Sequence, residues 1–211
     1  GDAIMAICNA PLKIENHSYT GCTTALEMIE KLKEINDAFI SEGLPTIDIG
    51  IGINTGHAVV GNMGTDVRFD YTAMGDTVNL ASRLESLNKI YGTHIIVSEL
   101  TLHHMERSGV LADHRNRMCF RELDFIMVKG KHAPVQIYEL LTAIDEALLK
   151  GFTDALRLYK NGDFAAAEEQ FLQLYEQYED LPSSMYAVRC KGLKENPPLL
   201  PWDGVYVAKI K

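Results

Sequence analysis

The stretch Arg68–Ser86, RFDYTAMGDTVNLASRLES, constrains this chain more than any other. It opens as a short extended run with aromatic and β-branched character, and Gly75 breaks it. Asp76 then stands where a helix N-cap is expected. Leu80, Ala81, Leu84 and Leu87 recur at helical spacing and predict a face turned to a core. Asn79 and Arg83 stand four residues apart at the edge of that stripe, so one side chain lies above the other. An amide beside a guanidinium suits a ligand rich in oxygen, such as a phosphate. Taken alone, the helix reads better as an ordinary amphipathic element with a solvated polar face, so its meaning depends on the rest of the chain.

The chain has 211 residues, 46% apolar and 23% charged, a composition that suits a globular domain with a small appendage. No apolar run approaches the roughly 18 residues that cross a bilayer. Twenty Lys and Arg against 29 Asp and Glu give a formal charge of −9. An acidic surface argues against nucleic acid and anionic membranes as partners. A polyanionic ligand would need a divalent cation or a local basic cluster to bring it in. Cys8, Cys22, Cys119 and Cys190 have no CxxC spacing and read as free or buried thiols in a reducing compartment.

Along the chain, Ala3–Cys8 has strand length and Asn9-Ala10-Pro11 stops it. Gly1-Asp2 resembles half of a hairpin turn, which implies a fragment of a longer chain. Tyr19–Ser41 predicts a long one-sided helix, and Ile47–Ile53 a buried strand. Thr55-Gly56 turns the chain into a second strand, Ala58–Met63, which predicts a hairpin of those two. Thr93–Val97, Phe120–Val128 and Val135–Leu141 are further strands, with a short helix starting near Ser98. The sum is an α+β architecture: an antiparallel-rich sheet with helices on one face. Near Ala143 the character changes. Ile144–Lys160 and Phe164–Tyr178 form a helical hairpin around Asn161-Gly162-Asp163, and a third helix follows Pro182. Such a pair cannot bury both of its faces alone, so it must pack on the domain, on a twin or on other sequence.

Asp2 could project a carboxylate from a turn to a metal ion, although an isolated turn aspartate is usually no more than that. Lys129 and Lys131 flank Gly130 between two strands, where they would either grip phosphate or blunt a sheet edge. The histidines show no HExxH or HxH grouping, and no GxSxG, Walker A or GxGxxG element is present.

Four segments together resemble the class III nucleotidyl cyclase catalytic domain. They are Gly1–Ala6 (GDAIMA), Gly50–Gly56 (GIGINTG), Tyr71–Glu85 (YTAMGDTVNLASRLE) and Val128–Lys131 (VKGK), in the family's order and spacing. The resemblance covers residues 1–142 and implies a ferredoxin-like cyclase fold with residues 143–211 as a helical extension. It implies an adenylate cyclase that makes 3′,5′-cyclic AMP and pyrophosphate from ATP, working as a homodimer with two Mg2+ or Mn2+ ions at sites shared between subunits. Asp2 matches the second metal aspartate. Asn79 and Arg83 match the pair that orients the ribose and stabilises the transition state from the partner subunit. Lys129 matches a lysine near the terminal phosphates. Thr72 falls where many adenylate cyclases read adenine with aspartate, and resembles the bacterial threonine-type subgroup.

Three departures go with it. No counterpart of the first metal aspartate or of the adenine-reading lysine is found, so the polypeptide alone is expected to lack measurable cyclase activity. Gly50 stands where some members carry a phosphate-contacting arginine. The tail resembles a single tetratricopeptide-like repeat, with Gly162, Phe164, Ala167 and Phe171 at its offsets, and implies a possible protein partner. The expected setting is the cytoplasm, with any membrane tether in missing N-terminal segments. The competing readings are a catalytically dead module that keeps the fold, and a guanylate cyclase.

Overall fold

The computed structural model describes residues 3–65, 68–113, 118–128, 133–198 and 201–207. In chain order these form α1 (His17–Ser41), β1 (Ile51–Ile53), β2 (Val59–Thr65), β3 (Arg68–Met74), α2 (Asp76–Tyr91), β4 (Ile95–Ser98), α3 (Glu99–Ser108) and α4 (Val110–Asp113). There follow β5 (Cys119–Met127), β6 (Val135–Leu141), α5 (Glu146–Lys160), α6 (Phe164–Tyr178), α7 (Leu181–Glu195) and β7 (Tyr206–Val207).

β4 is buried at every position and its side chains alternate between two cores. Ile96 joins Leu80, Leu84 and Leu87 of α2, while Ile95 and Val97 join Cys22 and Ala25 of α1 and Met105 of α3. Helices therefore cover both faces of the sheet. The α+β class stands, but the expected single helical face does not. An apolar stripe shows that a helix packs without showing which side of a sheet receives it.

The sheet runs β1-β4-β6-β5-β7, and β2 with β3 forms a separate two-stranded sheet. β1 lies parallel to β4, with Ile51 opposite Ile95, so α2 is the crossover between them. The expected hairpin of Ile47–Ile53 with Ala58–Met63 is thus replaced by an antiparallel pair of β2 and β3, with Val59 opposite Met74. One cause is local. The Asn36 amide donates to the Ile47 carbonyl at 2.8 Å and accepts from its N–H at 2.9 Å, so a side chain takes the groups a ladder would use. Ala3–Cys8 joins no ladder among the described residues, and Ile4 is 91% exposed.

The chain after Ala143 folds back on the first core. Asp145, Asp163 and Asp180 cap α5, α6 and α7 through first-turn N–H groups. Phe152, Phe171 and Tyr186 share one core with Leu123, Ile126 and Ile137 of the sheet. The tail then adds β7 in parallel to the edge of β5, Ile126 facing Tyr206. A bulge between Glu122 and Asp124 sends Arg121, Leu123, Asp124 and Ile126 to burial together. Both charges meet the extension there. Arg121 donates to Glu139 from Nε at 2.8 Å and to Asp180 from a terminal nitrogen at 2.7 Å, and Asp124 pairs with Arg189 of α7.

Candidate active site

The position of α2 follows from glycines. A Cβ on Gly52 would lie 2.1 Å from the Ala81 carbonyl oxygen and 2.2 Å from the Glu85 nitrogen, so the helix backbone rests directly on β1. Gly50 is also tight, 3.0 Å from the Glu85 oxygen, so this position is turned to the helix. That is a structural reason for glycine at a position where some members of similar sequence carry an arginine. Asn88 ties the layers by donating to Ile51 O at 3.1 Å. We expect Gly52→Ala to cost about 1–3 kcal/mol, the range of overpacking penalties, read as a lower denaturation midpoint.

The start of α2 is fixed by a polar chain. Ser98 Oγ donates to Asn54 Oδ1 at 2.6 Å, Asn54 Nδ2 to Thr77 O at 2.9 Å, and Thr77 Oγ1 to His57 O at 2.8 Å. Asn54 and Thr77 both lie inside the sequence motifs, yet their partnership was not legible from spacing. Gly75, not Asp76, is the N-cap, at φ +132°, a backbone region that side chains other than glycine rarely adopt. Asp76 becomes the first helical residue, where its charge meets the positive end of the helix dipole. At the far end, burial first and then the charge of Asp124 hold the Tyr91 phenol well above its ordinary pKa, so it stays a donor to Asp124.

Asn79 is exposed and Arg83 half-buried, one turn apart on α2. Among the described residues, neither side chain belongs to an ion pair or a hydrogen-bonded side-chain pair, which leaves both open to a ligand. Thr72 is half-buried on β3, opposite Gly61 of β2, on the strand that leads into α2. Asp2, Lys129 and Lys131 lie outside the described residues. Among the described residues no group of three or more His, Cys, Asp or Glu could hold a metal ion, and no helix is long and apolar enough to cross a membrane.

Residues 1–142 match the sequence model of the adenylate and guanylate cyclase catalytic domain. The chain belongs to that family. Cyclase catalytic domains of this family use divalent metals. The chain is 40% identical over 144 residues to adenylate cyclase 1 of Rhizobium meliloti, covering 68% of this chain and 20% of that protein. It is 33% identical over 199 residues to the terminal-differentiation-specific adenylate cyclase of Dictyostelium discoideum, covering 90% of this chain and 9% of that protein. The chain therefore spans a fifth or less of the length of these relatives. Its fold resembles the adenylyl cyclase CyaB of P. aeruginosa, with TM-score 0.54 and 29% identity over 66% of this chain and 67% of that one. It equally resembles the guanylyl cyclase Cya2, with TM-score 0.52 and 31% identity over 65% and 64%. This cyclase fold thus leaves the choice of base to individual side chains.

Proposed function

We propose that this chain is the catalytic domain of an adenylate cyclase that converts ATP to 3′,5′-cyclic AMP and pyrophosphate in the cytoplasm, acting as a homodimer. The observation that carries the reading is the pair Asn79 and Arg83, unengaged on a helix whose two ends are both fixed. In the reaction the ribose 3′-hydroxyl attacks the α-phosphorus and pyrophosphate leaves. Two divalent ions, Mg2+ or Mn2+, held in part by Asp2, would neutralise the phosphates and ease loss of the hydroxyl proton. Arg83 meets charge that grows on the α-phosphate, and Asn79 holds the ribose. Lys129 serves the terminal phosphates. The first metal aspartate has no counterpart in residues 1–211.

A shared site needs a dimer. The β2–β3 sheet supports one, because two strands by themselves are marginal in water and this pair exposes Val59, Tyr71 and Met74. A second protomer would cover them. The extension supports a tetratricopeptide-like reading: Gly162 turns between α5 and α6 at φ +81°, and Ala167 and Phe171 are fully buried. Its outer face is then open to a protein partner.

A guanylate cyclase is the second reading, favoured by Thr72 in place of aspartate. Threonine at this position also fits the bacterial adenylate-forming subgroup. Comparing ATP and GTP turnover in the purified full-length protein decides between them. We expect ATP to be preferred, and Thr72→Asp to sharpen that preference by about 10-fold or more, the worth of one hydrogen bond to a base edge. A parent enzyme that favours GTP would overturn the adenylate assignment.

A further inference from the structure

The helix that carries Asn79 and Arg83 ends at Tyr91, and that end is held by the extension. Gly92, at φ +69°, caps it, and a Cβ there would meet the Leu181 side chain at 2.5 Å. The Tyr91 hydroxyl donates to Asp124 Oδ2, and the same oxygen accepts from a terminal nitrogen of Arg189. The other terminal nitrogen of Arg189 reaches the Tyr91 hydroxyl at 3.4 Å. The guanidinium also lies 3.8 Å from the ring centroid of Tyr206 in β7 and 4.8 Å from that of Tyr186 in α7. Such a box suits arginine, whose planar head stacks and hydrogen-bonds at once.

Four separate parts of the chain meet at this one side chain: α2, β5, α7 and β7. Asp124 is wholly buried and the Arg189 side chain is only 10% exposed. Bulk stability does not require a charge at this spot, since apolar residues of similar volume serve buried sites as well or better. What the ion pair adds is direction, tying the last turn of α2 to strand and extension at a fixed angle.

We propose that Arg189 is a positioning residue for catalysis, through which the helical extension sets the pose of α2 and hence of Asn79 and Arg83. The inference rests on the cyclase reading above. Arg83 lies eight residues before Tyr91, about 12 Å along the helix axis. A tilt of about 5° pivoting at Tyr91 displaces it by about 1 Å, and misplacement of that size costs on the order of 10²-fold in rate. The extension is thereby a working part of the domain, and anything that shifts α7 reaches the site through this residue.

The test uses two variants of the full-length protein. Arg189→Lys keeps a cation beside Asp124 but loses the fork and the stack, and Tyr91→Phe removes only the hydroxyl at the helix end. Both are expected to lower kcat by about 10-fold or more with KM for the nucleotide within about twofold, because the α2 pair serves the transition state. Backbone amides of residues 88–92 should exchange faster, and the loss of kcat should persist at temperatures well below each variant's unfolding midpoint, where the variants are fully folded. Parental kcat in both folded variants overturns the proposal, as does a loss that merely follows a lowered unfolding midpoint. Should Arg83→Ala keep parental turnover, the cyclase assignment of α2 fails instead, and unchanged amide exchange at 88–92 would then count separately against the coupling.

Discussion

Arg83→Ala in the full-length protein is expected to lower cyclase turnover by about 10²–10³-fold, the cost of removing one preorganised donor from developing negative charge. The unfolding midpoint should stay near the parent's, because among the described residues the Arg83 side chain takes part in no ion pair or hydrogen bond. KM for the nucleotide should change far less than kcat, since the donor meets charge that is largest in the transition state. Arg83→Lys should recover only part of the loss, as an ammonium keeps the charge but not the planar fork. Steady-state kinetics beside a thermal melt read both effects. Full activity in Arg83→Ala would remove this helix from the chemistry.

Arg121→Met is expected to act on stability and to cost about 3–5 kcal/mol at neutral pH. Arg121 is 3% exposed and serves two carboxylates, Glu139 in the neighbouring strand and Asp180 at the start of α7. Without it both stay buried and lose their cation, although Asp180 keeps its bonds from Ser183. Burial already raises the Glu139 carboxyl above its ordinary range, although the Arg121 charge opposes this. Removing Arg121 raises it further. A carboxyl with a raised folded pKa gives stability that is present below the unfolded pKa and is lost as pH rises through the folded one. The variant should therefore be most deficient near pH 7 and recover towards the parent as pH falls towards 5. Denaturant titrations at the two values check the sign. A deficit that grows on acidification would contradict the account.

These two residues mark how far the sequence carries. Val135–Leu141 and Phe164–Tyr178 have the bounds that their periodicity predicts, the strand because Val135 and Ile137 alternate with Tyr138 and Leu140 between two cores, the helix because Ala167 and Phe171 bury one face. The motif around Asn79 and Arg83 is legible as chemistry for the same reason: spacing along one helix is a local property. Arg121 and Asp124 are legible only as charges in a strand. Their burial depends on a bulge, and their partners Asp180 and Arg189 stand 59 and 65 residues away. Strand pairing is equally long-range. The β1–β4 pair looks like a hairpin with β2 until Gly50 and Gly52 are seen against the helix backbone, and β7 is too short to carry a pattern. Asp2 and Lys129 remain assignments by resemblance, outside the described residues.

The central claim is that each site is composed from two protomers, with Asn79 and Arg83 serving a nucleotide held by the partner's Asp2. Mixing the Arg83→Ala and Asp2→Asn variants of the full-length protein tests it most directly. Each alone should be inactive, having one defect in both of its sites. Random pairing makes half of the dimers mixed, and in these one of the two sites is intact by symmetry, so activity should return to roughly a quarter of the parent's. A mixture that forms heterodimers yet stays inactive would show that both residues act within one chain, and would contradict the account.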